Sequence, residues 1–260
     1  METEEEPLGK YWMSPDKEKT ILITGTSRGI GFDLAKLYLE LGYRVCGISR
    51  TPTSFNEARF EQIQADLGNP EEILSLSKLI AGKSIFGLIN NAAILGPTGP
   101  FENNDLGRWA HAFQVNLFSA ATLSQICIPS LKREHGFVIF LSGGGSAFPR
   151  PNFSAYGISK TAVVRLSEVL ARELYPDVMV YCVAPGPNRT RLLEEAIQGG
   201  EIVPEDDIVD FSYVERLCLF LTHNKDPRYS GKFIHVKDQY DSWGEQQLTG
   251  DGYTLRRIKS

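Results

Sequence analysis

Residues 20–41, TILITGTSRGIGFDLAKLYLEL, decide the fold of this 260-residue chain. The stretch starts with a short apolar run, passes through a turn that contains Gly25, Gly29 and Gly31, and ends in a segment with helical spacing of its apolar residues. The glycines allow a tight turn, and the free N–H groups at the start of the helix can bind a diphosphate. The stretch therefore predicts a strand, a phosphate-binding turn and a helix in direct succession.

Short apolar runs and longer amphipathic segments alternate along the rest of the chain. The apolar runs predict strands at residues 20–24, 44–48, 85–90, 137–141, 178–183 and 232–236. The amphipathic segments predict helices near residues 30–42, 70–82, 104–130, 154–175 and 212–222. Runs that are apolar on both sides are typical of buried parallel strands. The pattern predicts an α/β fold, a doubly wound parallel sheet of the Rossmann type with three αβα layers in a single domain.

The chain divides into three parts. We expect the polar residues 1–19 to form a mobile leader, residues 20–240 to form the domain, and residues 241–260 to form a C-terminal tail. Within the domain, the charged segment 187–212 interrupts the alternation, and we predict that it is a substrate lid. The alternative is an ordinary surface loop.

Composition limits the partners. The formal net charge of -5 gives no broad basic field, so nucleic acid is not an expected partner. No stretch approaches 18 uninterrupted apolar residues, so we expect no membrane partner. The four cysteines lie far apart without a C-x-x-C pair, which favours a reducing, cytoplasmic location. The four histidines show no metal-ligand spacing with them, so we predict no metal site.

The residues after the second predicted strand bear on cofactor choice. An acidic residue there accepts hydrogen bonds from a ribose 2'-OH, whereas an arginine accommodates a 2'-phosphate. This chain has Ile48-Ser49-Arg50, without a carboxylate, and Arg28 in the glycine turn could bind the same phosphate. The pattern favours NADP over NAD, unless both arginines simply lie in solvated loops.

A second candidate cluster follows the strand at residues 137–141. Tyr156 and Lys160 are four residues apart and therefore share one face of the predicted helix. A neighbouring lysine charge favours ionisation of a phenol, which could then exchange a proton with a substrate hydroxyl. A tyrosine and a lysine at this spacing are common in proteins. Here the pair follows the carboxyl end of a predicted parallel strand, where ligands bind in such sheets, and this position indicates a functional site.

Taken together, these motifs resemble the short-chain dehydrogenase/reductase family over about residues 20–240. The resemblance rests on T-G-x-x-x-G-x-G at residues 24–31, Asn90-Asn91-Ala92-Ala93, Asn116, Tyr156 with Lys160, and Pro185-Gly186 followed by Thr190. It implies that Tyr156 is the acid/base and that Lys160 lowers its pKa and binds the nicotinamide ribose. It also implies that Asn116 holds a water molecule in the proton relay.

The same resemblance implies a set of cofactor-binding residues. Asp66 would lie beside the adenine and Thr190 at the carboxamide. The whole predicted set is Gly25, Ser27, Arg28, Gly29, Ile30, Gly31, Arg50, Asp66, Leu67, Asn91, Ala92, Tyr156, Lys160, Pro185, Gly186 and Thr190.

Two positions depart from the family pattern. The family usually has a serine thirteen residues before the tyrosine, where this chain has Gly143. We expect Ser142 to take its place as a catalytic residue, with Ser146 as the second candidate. Ala93 stands where glycine is commoner, and we expect the fold to accommodate the extra methyl group.

The leading hypothesis is an NADP(H)-dependent oxidoreductase that interconverts a carbonyl and an alcohol in a small-molecule substrate. The missing serine motivates one alternative, a dinucleotide-binding regulatory or scaffold protein without turnover. Another alternative is an epimerase that uses the same site. The resemblance also implies a homodimer or homotetramer that pairs two long helices between subunits.

Overall fold

The sheet is parallel and contains seven strands. A computed structural model describes residues 19–224, 226–249 and 252–255 of the chain, so most of the predicted leader lies outside the described residues. The strands follow the order β3-β2-β1-β4-β5-β6-β7 and every pair is parallel. Their bounds are β1 Thr20–Thr24, β2 Arg44–Ser49, β3 Phe60–Gln64, β4 Ile85–Asn90, β5 Phe137–Leu141, β6 Met179–Ala184 and β7 Phe233–His235.

Helices cover both faces of this sheet. Their bounds are α1 Gly29–Glu40, α2 Pro70–Ile80, α3 Leu106–Phe113, α4 Ser119–Glu134, α5 Ser154–Glu173, α6 Arg191–Gln198, α7 Phe211–His223 and α8 Glu245–Thr249. Successive residues of β1 point to opposite faces, so Ile21 packs in the core with α1 and α7, while Leu22 packs in the core with α2, α4 and α5. The predicted doubly wound, three-layer architecture is confirmed.

Strand β3 was not among the predicted strands. Its sequence, Phe-Glu-Gln-Ile-Gln, lacks an apolar run, and only Ile63 is fully buried. The strand pairs with β2 alone and forms one edge of the sheet. An edge strand can keep polar side chains in water, so β3 lacks the continuous apolar run that predicts the other strands.

The helix predicted near residues 104–130 is three consecutive segments. Helix α3 passes into a π-helical turn at Gln114–Phe118, and α4 then continues through Pro129 to Glu134. Asn116 lies inside the π-helical turn, and its side-chain amide exchanges two hydrogen bonds of 2.9 Å with the backbone of Ile94. The π-helical turn and the chain after β4 are therefore held together by one side chain.

The order in which strands are added to the sheet reverses between β1 and β4, which are neighbours although two other strands separate them in sequence. Such a switch point leaves a crevice outside the carboxyl ends of the strands. The glycine turn follows β1 and Asn91 follows β4, so both enter this crevice.

Candidate active site

One large cavity of about 1440 Å³ occupies the crevice at the carboxyl ends of the strands. Its wall contains the glycine turn, the residues after β2, β4, β5 and β6, the start of α5, and the segment around α6. Of the predicted site residues, all except Gly31 and Asn116 line this cavity. The structure therefore brings together, in one space, side chains that are more than a hundred residues apart in sequence.

The glycine turn has the geometry of an anion cradle. Gly25 and Gly29 have φ angles of 78° and 58°, a region that favours glycine, and Gly25 N donates to Ile48 O at 2.7 Å. A side chain on Gly31 would overlap Gly25 O, so the turn closes only with glycine there. Arg28, the residue before α1, makes no side-chain capping bond, so the first N–H groups of the helix are free for a phosphate.

A second network joins the ends of β1 and β4. Thr24 Oγ1 accepts hydrogen bonds from the backbone N–H groups of Asn91 and Ala92, both at 3.0 Å. Asn91 Nδ2 donates to Thr24 O at 2.8 Å. These bonds fix the cavity wall beside the glycine turn, where the resemblance places Asn91 and Ala92 along the cofactor.

The end of the cavity next to β2, where the resemblance places the adenosine, combines exposed cations with a fixed loop. Arg28 and Arg50 are exposed and line the cavity. Asp66 is less accessible, and its Oδ1 accepts from Gly68 N at 2.8 Å, which holds the turn after β3. The chain provides no carboxylate directly after β2, where the sequence reads Ser49-Arg50-Thr51.

Tyr156 and Lys160 lie buried at the other end of the cavity. Tyr156 is 5% exposed and Lys160 is 2% exposed, and the Lys160 ammonium lies 5.9 Å from the centroid of the phenol ring. Burial raises the pKa of Tyr156 to about 12, partly offset by the charge of Arg150. Burial also lowers the pKa of Lys160 to about 8. Lys160 Nζ donates to Leu141 O at 2.7 Å, which positions the ammonium at the end of β5.

Gly143, and not a serine, packs against the hydroxyl of Tyr156. A side chain built on Gly143 would overlap the phenol oxygen. Ser142 Oγ is buried and donates to Lys160 O over a long 3.4 Å, while Ser146 Oγ donates to Gly143 O at 2.7 Å. Both serines line the cavity, and their described hydrogen bonds involve backbone carbonyls and, for Ser142, also the thiol of Cys182, but not Tyr156.

Asn116 reaches the site through α5. Its Nδ2 donates to Ser159 Oγ at 2.9 Å as well as to Ile94 O, and Ser159 Oγ in turn donates to Tyr156 O. The described bonds of this amide therefore connect the π-helical turn, the chain after β4 and the second turn of α5. Through them Asn116 holds the backbone that carries Tyr156.

The predicted lid contains regular structure and contributes an unforeseen residue. Thr190 Oγ1 accepts from Leu193 N and so begins α6, while its methyl carbon would lie 3.1 Å from a Cβ on Gly29. Beyond α6, Glu201 forms an ion pair with Arg150, at 2.9 Å and 3.0 Å from two guanidinium nitrogens. The sequence analysis did not single out Glu201, and a separation of 51 residues gives no spacing signal that could have done so.

In the described part of the chain, no helix has both the length and the apolar composition that crossing a membrane requires. Among the same residues, no group of three or more histidine, cysteine, aspartate or glutamate side chains could hold a metal ion.

The fold and the cavity define a Rossmann-type dinucleotide-binding protein. Comparison with known sequences identifies its family: the profile described as short chain dehydrogenase matches residues 19–200. The chain belongs to the short-chain dehydrogenase/reductase family, as the sequence motifs predicted. It is therefore an oxidoreductase of the general class that interconverts carbonyls and alcohols with a nicotinamide cofactor.

Individual relatives agree with this assignment. The benzil reductase ((S)-benzoin forming) IRC24 of Saccharomyces cerevisiae is 33% identical over 201 residues, covering 68% of this chain and 74% of the relative. A Beutenbergia cavernae crystal structure, assigned as an NAD(P)-dependent gluconate 5-dehydrogenase with NADP at low occupancy, is 26% identical, with a TM-score of 0.73 over 84% of this chain and 94% of that one. The oxidoreductase yciK of Escherichia coli is 25% identical, with a TM-score of 0.75 over 86% and 98% of the two chains.

Proposed function

We propose that this protein is an NADP(H)-dependent oxidoreductase in which Tyr156 exchanges a proton with the oxygen of a small carbonyl or alcohol substrate. The observation that carries the proposal is the position of Tyr156. Its phenol lies in the wall of the same cavity that begins at the glycine turn, with the Lys160 ammonium 5.9 Å from its ring.

Different residues of the chain would bind the cofactor and assist the proton transfer. The glycine turn and the first turn of α1 offer N–H groups to a diphosphate, and hydrogen bonds between Thr24 and Asn91 fix the cavity wall beside it. A bound nicotinamide cofactor supplies or accepts the hydride. Lys160, held by Leu141 O, offers a positive charge that favours the ionised phenol of Tyr156 when the lysine is protonated.

The replacement Tyr156→Phe tests the role of the phenol. With a competent carbonyl from a broad panel, we expect kcat/KM to fall by about 10²–10⁴, because a positioned general acid contributes that much. NADPH affinity, measured by fluorescence titration, stays near the wild-type value. Tyr253 also lines the cavity, and Tyr253→Phe is the matched control that retains turnover. Wild-type turnover in Tyr156→Phe would defeat the proposal.

Assays of the wild-type protein distinguish the proposed oxidoreductase from the two alternative functions. Tight NADPH binding without turnover over the whole panel would favour a scaffold protein. Inversion of a substrate stereocentre without net cofactor oxidation or reduction would favour an epimerase.

We infer the preference for NADP from the cations at the adenosine end. Arg28 and Arg50 line the cavity there, and the chain has no carboxylate directly after β2. In Arg50→Asp, we expect the NADPH over NADH preference to fall about 10–100-fold, the effect of losing a charge-assisted bond to phosphate. Arg44→Asp, at the opposite end of β2, is the control. An unchanged preference in Arg50→Asp would show that this arginine does not read the phosphate.

Ser142 remains the proposed partner of the substrate oxygen. It lines the cavity, and its 3.4 Å bond to Lys160 O is long enough to be given up for a substrate. Ser146 is the second candidate, with a shorter bond of 2.7 Å. A larger loss of kcat in Ser142→Ala than in Ser146→Ala would support this order, and the reverse would exchange the two roles.

The assembly and the compartment are also proposals. Phe118 near α4, and Ile158 and Val169 on α5, are exposed apolar residues, which favours a homodimer or homotetramer through these helices. Sedimentation velocity on wild type and Val169→Glu tests this, with a monomeric wild type as the contrary result. The four cysteines are free, which favours a reducing compartment such as the cytoplasm.

A further inference from the structure

An ion pair links the loop after β5 to the segment after α6 across the cavity. Arg150 Nε and Nη2 both contact Glu201 Oε2, at 3.0 Å and 2.9 Å. Both side chains are largely shielded from solvent, with 18% and 24% exposed, and both line the cavity that contains Tyr156. A charge in such a place acts over several ångströms more strongly than it would in water.

The guanidinium of Arg150 faces the phenol of Tyr156. Its central carbon lies 4.4 Å from the centroid of the Phe153 ring and 5.9 Å from that of the Tyr156 ring. Lys160 lies at the same 5.9 Å from that ring. The two cations differ because a guanidinium stays charged at any working pH, whereas burial lowers the pKa of Lys160 to about 8.

The phenol hydroxyl needs this support because its neighbour at position 143 has no side chain. Gly143 packs against the hydroxyl with backbone alone, so no side-chain hydroxyl from that position can stabilise a phenolate. Burial raises the pKa of Tyr156 to about 12, and the charge that opposes this rise is Arg150. A phenol with so high a pKa is a poor base near neutral pH.

We propose that Arg150 is a positioning residue whose positive charge favours ionisation of Tyr156. Glu201 weakens this effect because its negative charge partly neutralises that of Arg150. The inference rests on the proposed acid/base role of Tyr156. Replacing Glu201 by a neutral residue leaves the positive charge of Arg150 without compensation. Replacing Arg150 by a neutral residue removes that positive charge. The two halves of one ion pair therefore have opposite effects on the phenol.

Other titratable groups are near the phenol or share its cavity. On or beside the elements packed against Tyr156 they are Lys160 of α5, Cys182 of β6, and Arg108 and His111 of α3. The cavity wall adds Arg28, Arg50, Asp66, Arg191, Glu195, Asp207, His235, Lys237 and Asp238. All of them are unchanged in the variants below, so a difference between variants reports the ion pair.

The test compares Glu201→Gln with Arg150→Met by direct titration of Tyr156. Tyrosinate absorbance is followed after rapid pH jumps, before the protein can unfold, and the signal of Tyr156 is isolated by subtracting the same variant with Tyr156→Phe. We expect the pKa of Tyr156 to move about half a unit to one unit lower in Glu201→Gln and by a similar amount higher in Arg150→Met. Arg150→Lys, which keeps the charge, recovers at least half of the shift.

The pH profile of alcohol oxidation should move in the same two directions. A pair that only fastens the two segments together would give both variants the same effect, an increase in KM without opposite pH shifts. Shifts of the same sign, or no shift in either variant, would overturn the inference.

The two proposals fail separately. Full turnover in Tyr156→Phe removes the acid/base role whatever the ion pair does. Loss of turnover in Tyr156→Phe, together with equal titration of Tyr156 in wild type, Glu201→Gln and Arg150→Met, removes the inference alone.

Discussion

The two ends of the cavity are built differently. The glycine-turn end is held by backbone geometry and neutral hydrogen bonds, such as those of Thr24 with the chain after β4. Its arginines, Arg28 and Arg50, are exposed. The tyrosine end instead buries its charges: Lys160 is almost inaccessible, and Arg150 is paired with Glu201.

This difference predicts which mutations and which changes of pH affect each end of the cavity. Neutral hydrogen bonds and close packing respond to changes in side-chain shape and to lost acceptors, and only weakly to pH. Buried charges respond to pH and to the removal of a partner, because their proton affinity depends on burial and on neighbouring charges. Three experiments test this difference between the two ends of the cavity. The first asks whether the tyrosine end also responds to a change of side-chain shape.

Among these three changes, the largest effect is expected from Gly143→Ala, which tests whether the tyrosine end is also limited by shape. The new methyl group would overlap the phenol oxygen and displace it. We expect kcat/KM to fall by about 10²-fold, since a displacement of about 1 Å in a reacting group can cost that much. NADPH affinity should be unchanged.

Gly157→Ala is the matched control for this experiment. Its new methyl group would make only ordinary van der Waals contact, 3.5 Å from Gly145 O. Equal activity in the two variants would show that the phenol has room to adjust.

The next effect concerns the glycine-turn end. Thr24→Val keeps the shape of the side chain but removes the acceptor for two backbone N–H groups. We expect the free energy of unfolding to fall by about 1–3 kcal/mol and NADPH to bind more weakly, with little dependence on pH. Thr20→Val, at the start of the same strand, is the control for denaturant titrations. Equal losses in the two variants would contradict a special role for Thr24.

The smallest effect is a pH dependence of stability. The pKa of Lys160 falls from its ordinary 10.5 to about 8 on folding, so between about pH 8 and pH 10 the unfolded chain binds more protons than the folded chain. The free energy of unfolding of wild type, minus that of Lys160→Met, should therefore rise by about 1–2 kcal/mol over this interval. Buried cysteines and tyrosines titrate in both proteins and largely cancel in the difference. A flat difference would contradict burial of the lysine.

The parallel core of the sheet could be predicted because its strands carry continuous apolar runs. β3 could not be found by the same rule, since its Glu61, Gln62 and Gln64 belong to an edge that meets water. The π-helical turn around Asn116 has helical spacing on both sides, so the sequence shows one helix where the structure has three segments. The resulting geometry depends on bonds to Ile94, which lies 22 residues earlier.

The site was predictable where its residues occur in a motif. The spacing of Tyr156 and Lys160 predicts a shared helix face, and α5 provides it. Loop conformation is a different matter, because sequence alone did not indicate that Gly143 would lie against the phenol or that Ser142 would point to α5. The pairing of Arg150 with Glu201 depends on how two long connections fold over the cavity, and neither has a local pattern that fixes its partner.

The small side chain of Thr190 makes two different contacts. Its hydroxyl begins α6, and its methyl group packs over Gly29. Serine would keep the helix start but lose the apolar contact, and valine would keep the contact but lose the helix start. A phosphate that enters the glycine turn would therefore lie close to the side chain that begins α6, and the order of that helix would report whether the turn is filled.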